Sequence, residues 1–182
     1  MDESQEAALV RRCQAGDTAA FRELIGTYKN TLFGVALLMT RDRHSAEDAV
    51  QEGLINIWRH LPSLQKPESV KAWLVRIVVN EVRQQFRMKR LISVPLDIAD
   101  DIASETDLPE DNAIQTENRR NMRQALNTLP PEQRDAIILR FYSDLTVPEI
   151  ATVMNQPQGT IKSRLNRGLT RLNNVLRDQG LA

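Results

Sequence analysis

The sequence predicts an all-α protein made of two small helical domains joined by an acidic linker, and three observations carry that reading. Leu, Ile, Val, Ala, Arg, Gln and Glu fill long periodic segments, while aromatic residues make up 4 % of the chain and its seven glycines are scattered. That composition suits helices. No run shows the alternation of a strand. Charge is also segregated along the chain, although 24 basic and 24 acidic side chains cancel overall.

Residues 71–92 carry Lys71, Arg76, Arg83, Arg87, Lys89 and Arg90 against Glu81, a net charge of +5. Residues 93–117 then hold eight acids (Asp97, Asp100, Asp101, Glu105, Asp107, Glu110, Asp111 and Glu117) and no base. From Asn155 onward Lys162, Arg164, Arg167, Arg171 and Arg177 stand against Asp178, a net of +4. The acidic run contains Pro95 and Pro109 and little helical periodicity, so it reads as an extended spacer. The domains are therefore expected at 1–92 and 113–182, with the linker at 93–112.

In the first domain four helices are expected, roughly 4–14, 17–39, 43–60 and 68–90. Asp17 is the expected N-cap of the second, where Phe21, Leu24, Ile25, Tyr28, Leu32, Val35 and Met39 recur at steps of three and four as a core stripe. Ser45, with Asp48 three residues on, is expected to cap the third, which Pro62 ends. Pro67 opens the fourth, where Trp73, Leu74, Ile77, Val78 and Phe86 share the helix with the basic cluster.

The second domain is expected to hold helices near 110–127, 131–142, 147–154 and 158–177, with a core of Leu126, Leu129, Ile137, Ile138, Phe141, Ile150, Met154, Ile161, Leu165 and Leu169. Thr146 and Glu149 have the spacing of a capping box. Asn155 tolerates a left-handed backbone, and Pro157 disfavours helix at Gln156 yet suits the start of the next one. Two short helices joined by so short a turn make a helix-turn-helix unit. On its second helix Ile161, Leu165, Leu169, Leu172 and Leu176 cluster on one side. Thr160, Ser163, Asn166, Arg167 and Thr170 face the other way, with Lys162 and Arg164 on the flanks. Gly159 and Thr160 occupy the first turn, where free N–H groups suit a phosphate.

Other classes are set aside by what the sequence lacks. It holds no uncharged apolar run of about 18 residues and no N-terminal signal pattern, so a soluble, cytoplasmic protein without direct membrane insertion is expected. Cys13 is the one cysteine, beside His44 and His60; neither a disulfide nor a zinc site is expected, and Cys13 should pack as a small apolar residue. No catalytic grouping, phosphate loop or metal-ligand cluster stands out, so no enzyme, cofactor, metal or small-molecule substrate is expected.

Over almost its whole length the chain resembles a group-IV, extracytoplasmic-function (ECF) sigma factor of the sigma-70 family. Asp17-Thr-Ala-Ala-Phe21-Arg-Glu-Leu24 with Tyr28 is similar to the family's first conserved region. Ala46-Glu-Asp48-Ala-Val-Gln51-Glu52 with Trp58-Arg59 resembles its polymerase-binding helix. Lys71-Ala-Trp73-Leu74-Val-Arg76-Ile77 with Asn80 resembles its promoter-melting helix. Leu129-Pro130, Arg134, Arg140, Thr146, Glu149-Ile150-Ala151 and Gly159-Thr160-Ile-Lys162-Ser163-Arg164 resemble its second DNA-binding domain. Asn155 replaces a usual glycine, and Gln84 stands where an acid is common.

The resemblance implies a sigma-2-like domain at 1–92 and a sigma-4-like helix-turn-helix domain at 113–182. Its partners would be RNA polymerase core, through the β′ clamp helices and β flap, promoter DNA, and an anti-sigma factor. Polymerase would be met by Asp48, Gln51, Glu52, Ile55 and Trp58. Ser63, Gln65, Lys66, Lys71, Arg76, Asn80, Arg83 and Arg87 would serve the minus-ten element, the loop from Leu61 to Glu68 edging a pocket for a flipped base. Arg140, Gly159, Thr160, Lys162, Ser163, Arg164, Asn166 and Arg167 would serve the minus-35 element, with Lys162, Ser163, Asn166 and Arg167 nearest the bases and Arg140, Thr160 and Arg164 on phosphates. The linker's acids would imitate nucleic acid in the RNA exit path. Residues 146–177 alone also fit a free-standing helix-turn-helix regulator that is not a polymerase subunit. A helical enzyme or adaptor using the acidic stretch to bind protein is a third reading.

Overall fold

Helices account for all the regular structure that a computed structural model describes, over residues 3–92 and 113–178. The expected linker, 93–112, lies outside those residues, as does the side chain of Arg90. The described residues form two compact units, one before and one after that stretch.

The first unit packs α1 (Glu3–Gln14), α2 (Thr18–Thr40), α3 (Arg43–His60) and α4 (Val70–Ile92). Asp17 caps α2 as expected, its carboxylate accepting from the N–H groups of Ala19 at 2.9 Å and Ala20 at 3.0 Å. The Ala20 N–H, followed by the Arg12 guanidinium, holds the Asp17 carboxyl below its ordinary value. Gly16, at φ +89°, makes the left-handed corner before it.

The cap of α3 differs from the expectation. Asp42, not Ser45, is the N-cap, and Ser45 lies buried within the first turn, its N–H donating to Asp42 at 2.8 Å. The Ser45 hydroxyl, then its N–H, lowers the Asp42 carboxyl. Aspartate outcompetes serine here because it stands one turn earlier and accepts both donors as an anion. Pro62 falls inside a 3-10 turn, Leu61–Ser63, and Pro67 opens a second, Pro67–Ser69, so α4 begins two residues later than expected.

Leu24, Leu32, Val35, Met39, Ile57, Leu61, Leu74 and Val78 form the first core, each at most 2 % exposed. Every such leucine contributes about 1.5–3 kcal/mol through burial. Cys13 is buried with them, and desolvation raises its thiol above the ordinary value. Phe86, on the same helix as the basic cluster, is 46 % exposed.

The second unit contains α5 (Ala113–Asn127), α6 (Pro131–Ile137), α7 (Val147–Met154) and α8 (Gln158–Asp178). The expected helix 131–142 changes pitch: Ile138–Tyr142 is a π turn. The wider turn rotates later side chains off the 3.6-residue period. Leu139 is thereby fully buried, while Phe141, expected in the core, is 62 % exposed.

Candidate nucleic-acid interface

The helix-turn-helix is built by α7, α8 and the residues between them. At the start of α7 the Glu149 carboxylate accepts from the Thr146 N–H at 2.7 Å and its hydroxyl at 2.6 Å. At its end Asn155 adopts φ 51°, ψ 52°. The N–H of Asn155 reaches Thr152 O at 3.3 Å and that of Gln156 reaches Ala151 O at 3.0 Å, the paired bonds of a Schellman motif. Pro157 follows as the residue just before α8, its carbonyl accepting from Ile161 at 3.2 Å.

One side of α8 packs on α6. Ile161, Leu165 and Leu172 are buried, but Leu169, expected on that stripe, is 40 % exposed. Gly168 takes its place: a Cβ there would lie 2.8 Å from Ile137 Cδ1 and 3.4 Å from Gln133 Cβ. The contact spacing is thus 161, 165, 168 and 172, with glycine admitting the close crossing.

The opposite side is open. Gly159, Lys162, Asn166, Arg167 and Thr170 are exposed, and Thr160 and Ser163 are half-buried. Pro130, Pro131, Glu132 and Gln133 of α6 and its approach line a shallow cleft with Gly159, Thr160, Ser163, Arg164 and Arg167 of α8. Arg164 is only 17 % exposed and bonds to Glu132 at 2.5 Å. Glu132, which no sequence pattern marked, fixes that guanidinium at the cleft wall. Arg140 donates to Leu145 O at 3.0 Å, so it braces the turn before α7.

In the first unit Arg76, Asn80, Arg83 and Arg87 follow at steps of four, three and four, which sets them along one side of α4. Arg76, Asn80 and Arg87 are exposed and Arg83 is half-buried. Lys71 is half-buried, and its spacing turns it away from that stripe. Lys89 donates to Ser45 Oγ at 2.8 Å, tying the end of α4 to the α3 cap. Ser63, Gln65 and Lys66 are exposed in the connection between α3 and α4, and Ser63 Oγ donates to His60 O at 2.6 Å.

Asp48, Gln51 and Glu52 are exposed on one face of α3, beside Ile55 and Trp58, which are 40 % and 39 % exposed. Trp58 is held on its other edge by Phe21, the rings T-shaped with centroids 4.8 Å apart. Ala46, Ala49 and Gly53 are buried on the inner side, and Gly53 lets α3 approach Val78 of α4 closely. The face therefore combines polar groups with a rigid, half-exposed aromatic.

Among the described residues no group of three His, Cys, Asp or Glu side chains could hold a metal ion, and no helix is long and apolar enough to cross a membrane.

A helix-turn-helix with an open basic side, in a chain whose other helical unit bears a second basic stripe, defines a nucleic-acid-binding protein. Residues 24–92 match the family Sigma-70 region 2, and residues 119–172 match Sigma-70, region 4. The chain is 31 % identical to the ECF RNA polymerase sigma-E factor of Haemophilus influenzae, over 94 % of this chain and 95 % of that protein. It is 28 % identical to the ECF RNA polymerase sigma factor SigW of Bacillus subtilis, over 93 % of this chain and 95 % of that one. A solved structure of the sigma factor RpoE in complex with the anti-sigma factor NepR, from Bartonella quintana, is similar with a TM-score of 0.67 and 28 % identity, covering 86 % of this chain and 96 % of that chain. The chain belongs to the ECF group of the sigma-70 family. It is an RNA polymerase sigma factor for transcription initiation, acting with polymerase and promoter DNA. A free-standing regulator would account for the helix-turn-helix but would leave the match over 24–92 without a task.

Proposed function

We propose a division of labour between the two units, acting in the cytoplasm. The first unit docks on the β′ clamp helices through Asp48, Gln51, Glu52, Ile55 and Trp58 and engages the minus-ten element. Arg76, Arg83 and Arg87 draw the DNA backbone onto α4, while Asn80 and the loop residues Ser63, Gln65 and Lys66 meet bases exposed by melting. Lys71 contributes charge from the flank. The second unit meets the β flap and reads the minus-35 element with Lys162, Ser163, Asn166 and Arg167. Gly159 and Thr160 offer backbone and hydroxyl donors to phosphate, and Arg140 and Arg164 use the donors left over from Leu145 and Glu132.

The observation that carries this reading is the open side of α8, polar and basic along its first three turns while Gly168 seats the other side on α6. The complex of RpoE with NepR supports a further part of the reading, that this chain too is bound by an anti-sigma factor.

The test uses holoenzyme. Replacing Asp48, Gln51 and Glu52 together by Ala should weaken competition for core polymerase without changing promoter preference. Replacing Arg76, Arg83 and Arg87 by Ala should flatten the logarithmic salt dependence of promoter binding by roughly 2–3, at about 0.9 for each phosphate no longer neutralised. Unchanged core affinity in the first variant, or an unchanged slope in the second, would remove the corresponding assignment.

A further inference from the structure

Gln14 is the last residue of α1 and lies before both matched regions, 24–92 and 119–172. Its side-chain Nε2 donates to Leu61 O at 3.1 Å and to Leu64 O at 2.8 Å. A primary amide nitrogen carries two hydrogens, so both are spent on this one turn. The Leu61 carbonyl also accepts from the Leu64 N–H at 3.1 Å, which closes the 3-10 turn between them. Leu64, at φ −68° and ψ 109°, has already left helical geometry, so regular structure supplies its carbonyl with no partner. Gln14 satisfies it.

The amide thus fixes both ends of the segment that presents Ser63 and leads into Gln65 and Lys66, all three exposed. Its own position is fixed in turn. Val10 and Cys13 of α1 are buried, Gly16 turns the chain at φ +89°, and Arg12 pairs with Asp17 at 2.7 Å across that corner.

From this geometry we propose that Gln14 is a positioning residue for base recognition: it holds the Leu61–Leu64 turn in the shape that selects minus-ten bases. The proposal rests on the reading that this loop meets the melted minus-ten strand. It adds that selectivity depends on a residue that touches no DNA. A residue that merely glued α1 to the unit would change the amount of active protein, not its preference among promoters.

The test is transcription by reconstituted holoenzyme on two promoter panels, one varied through the minus-ten element and one through the minus-35 element. Each preference is a ratio between promoters within one preparation, so partly unfolded protein cancels. Gln14→Ala should compress the minus-ten preferences by about 3- to 10-fold, the scale of one or two modest hydrogen bonds, and leave the minus-35 preferences intact. Gln14→Glu keeps the shape but removes the donors and sets a carboxylate against two carbonyls, so it should compress them at least as far. Gln14→Lys restores a donor and should recover part of the preference.

Unchanged minus-ten ratios in both Gln14→Ala and Gln14→Glu, or an equal loss on every promoter of both panels, overturn the proposal. Ser63→Ala and Gln65→Ala run beside them separate the two levels. If these shift the ratios and the Gln14 variants do not, the clamp alone is wrong; if neither set shifts them, the loop reading fails and the clamp with it.

Discussion

Gly53 stands where α3 crosses α4, and its replacement by valine has a cost that the packing defines. A Cβ at this position would lie 3.0 Å from Val78 Cγ2 and 3.6 Å from Val78 Cα. Val78 is fully buried, and a β-branched side chain in a helix has one strongly preferred rotamer, so it cannot swing aside. Valine improves on glycine in helix propensity by about 0.3–0.4 kcal/mol. Methyl groups forced into a filled core cost about 1–3 kcal/mol, so the net loss should be roughly 0.6–2.7 kcal/mol. Both tryptophans, Trp58 and Trp73, lie in the first unit, and urea unfolding followed by tryptophan fluorescence reads that unit without mixing in the second. With a slope near 1–3 kcal/mol per molar urea, the midpoint should fall by about 0.8 M at the middle of both ranges. Val78→Ala opens the same space, so the pair should couple favourably by about 0.5 kcal/mol or more. A midpoint at or above the parent, or simple additivity with Val78→Ala, would refute the close crossing.

Other consequences can be measured on the same protein. Arg167→Ala should cost about 1–3 kcal/mol of promoter binding and relax one minus-35 position if the guanidinium meets a base edge, whereas uniform weakening on all promoters makes it a phosphate contact. The Asp42 carboxyl is held below its ordinary value of 3.8, so its contribution is present above that value and is lost as pH falls through the lowered one. Asp42→Ala should therefore lower urea stability by about 1 kcal/mol near neutral pH, with a gap that narrows towards about pH 3; an equal gap at both would contradict the charged cap. Replacing the eight acids of residues 93–117 with Ser or Gln should impair initiation while leaving promoter recognition intact, and unchanged initiation in vitro would reduce the stretch to a spacer.

Legibility in the sequence followed locality. The Asp17 cap, the Thr146–Glu149 box and the left-handed Asn155 are decided by neighbours within a few residues, and all three stand where local rules place them. One local rule misled, since Asp42 takes the α3 cap three residues before Ser45; the other differences arose from a π turn or a distant contact. Leu169 is the better apolar residue, yet Gly168 faces α6, where a Cβ would come within 2.8 Å of Ile137 Cδ1. Phe141 reads as core on a 3.6-residue period that the π turn breaks. For the candidate interfaces, spacing was enough to set Asp48, Gln51 and Glu52 on one face. It gave no sign of Glu132 against Arg164 or of Gln14 against Leu61 and Leu64, because those pairs are separated by 32, 47 and 50 residues.

On the proposed division of labour, two DNA-reading units acting as one polymerase subunit must together make transcription depend on both promoter elements. The most direct test is transcription with purified core polymerase and this protein as the only sigma factor, on promoters intact or altered in one element at a time. Transcripts that require the protein, start at one site and fall when either the minus-ten or the minus-35 element is changed are the predicted result. Binding of the protein alone to a single operator, with no protein-dependent transcripts from core, would contradict it.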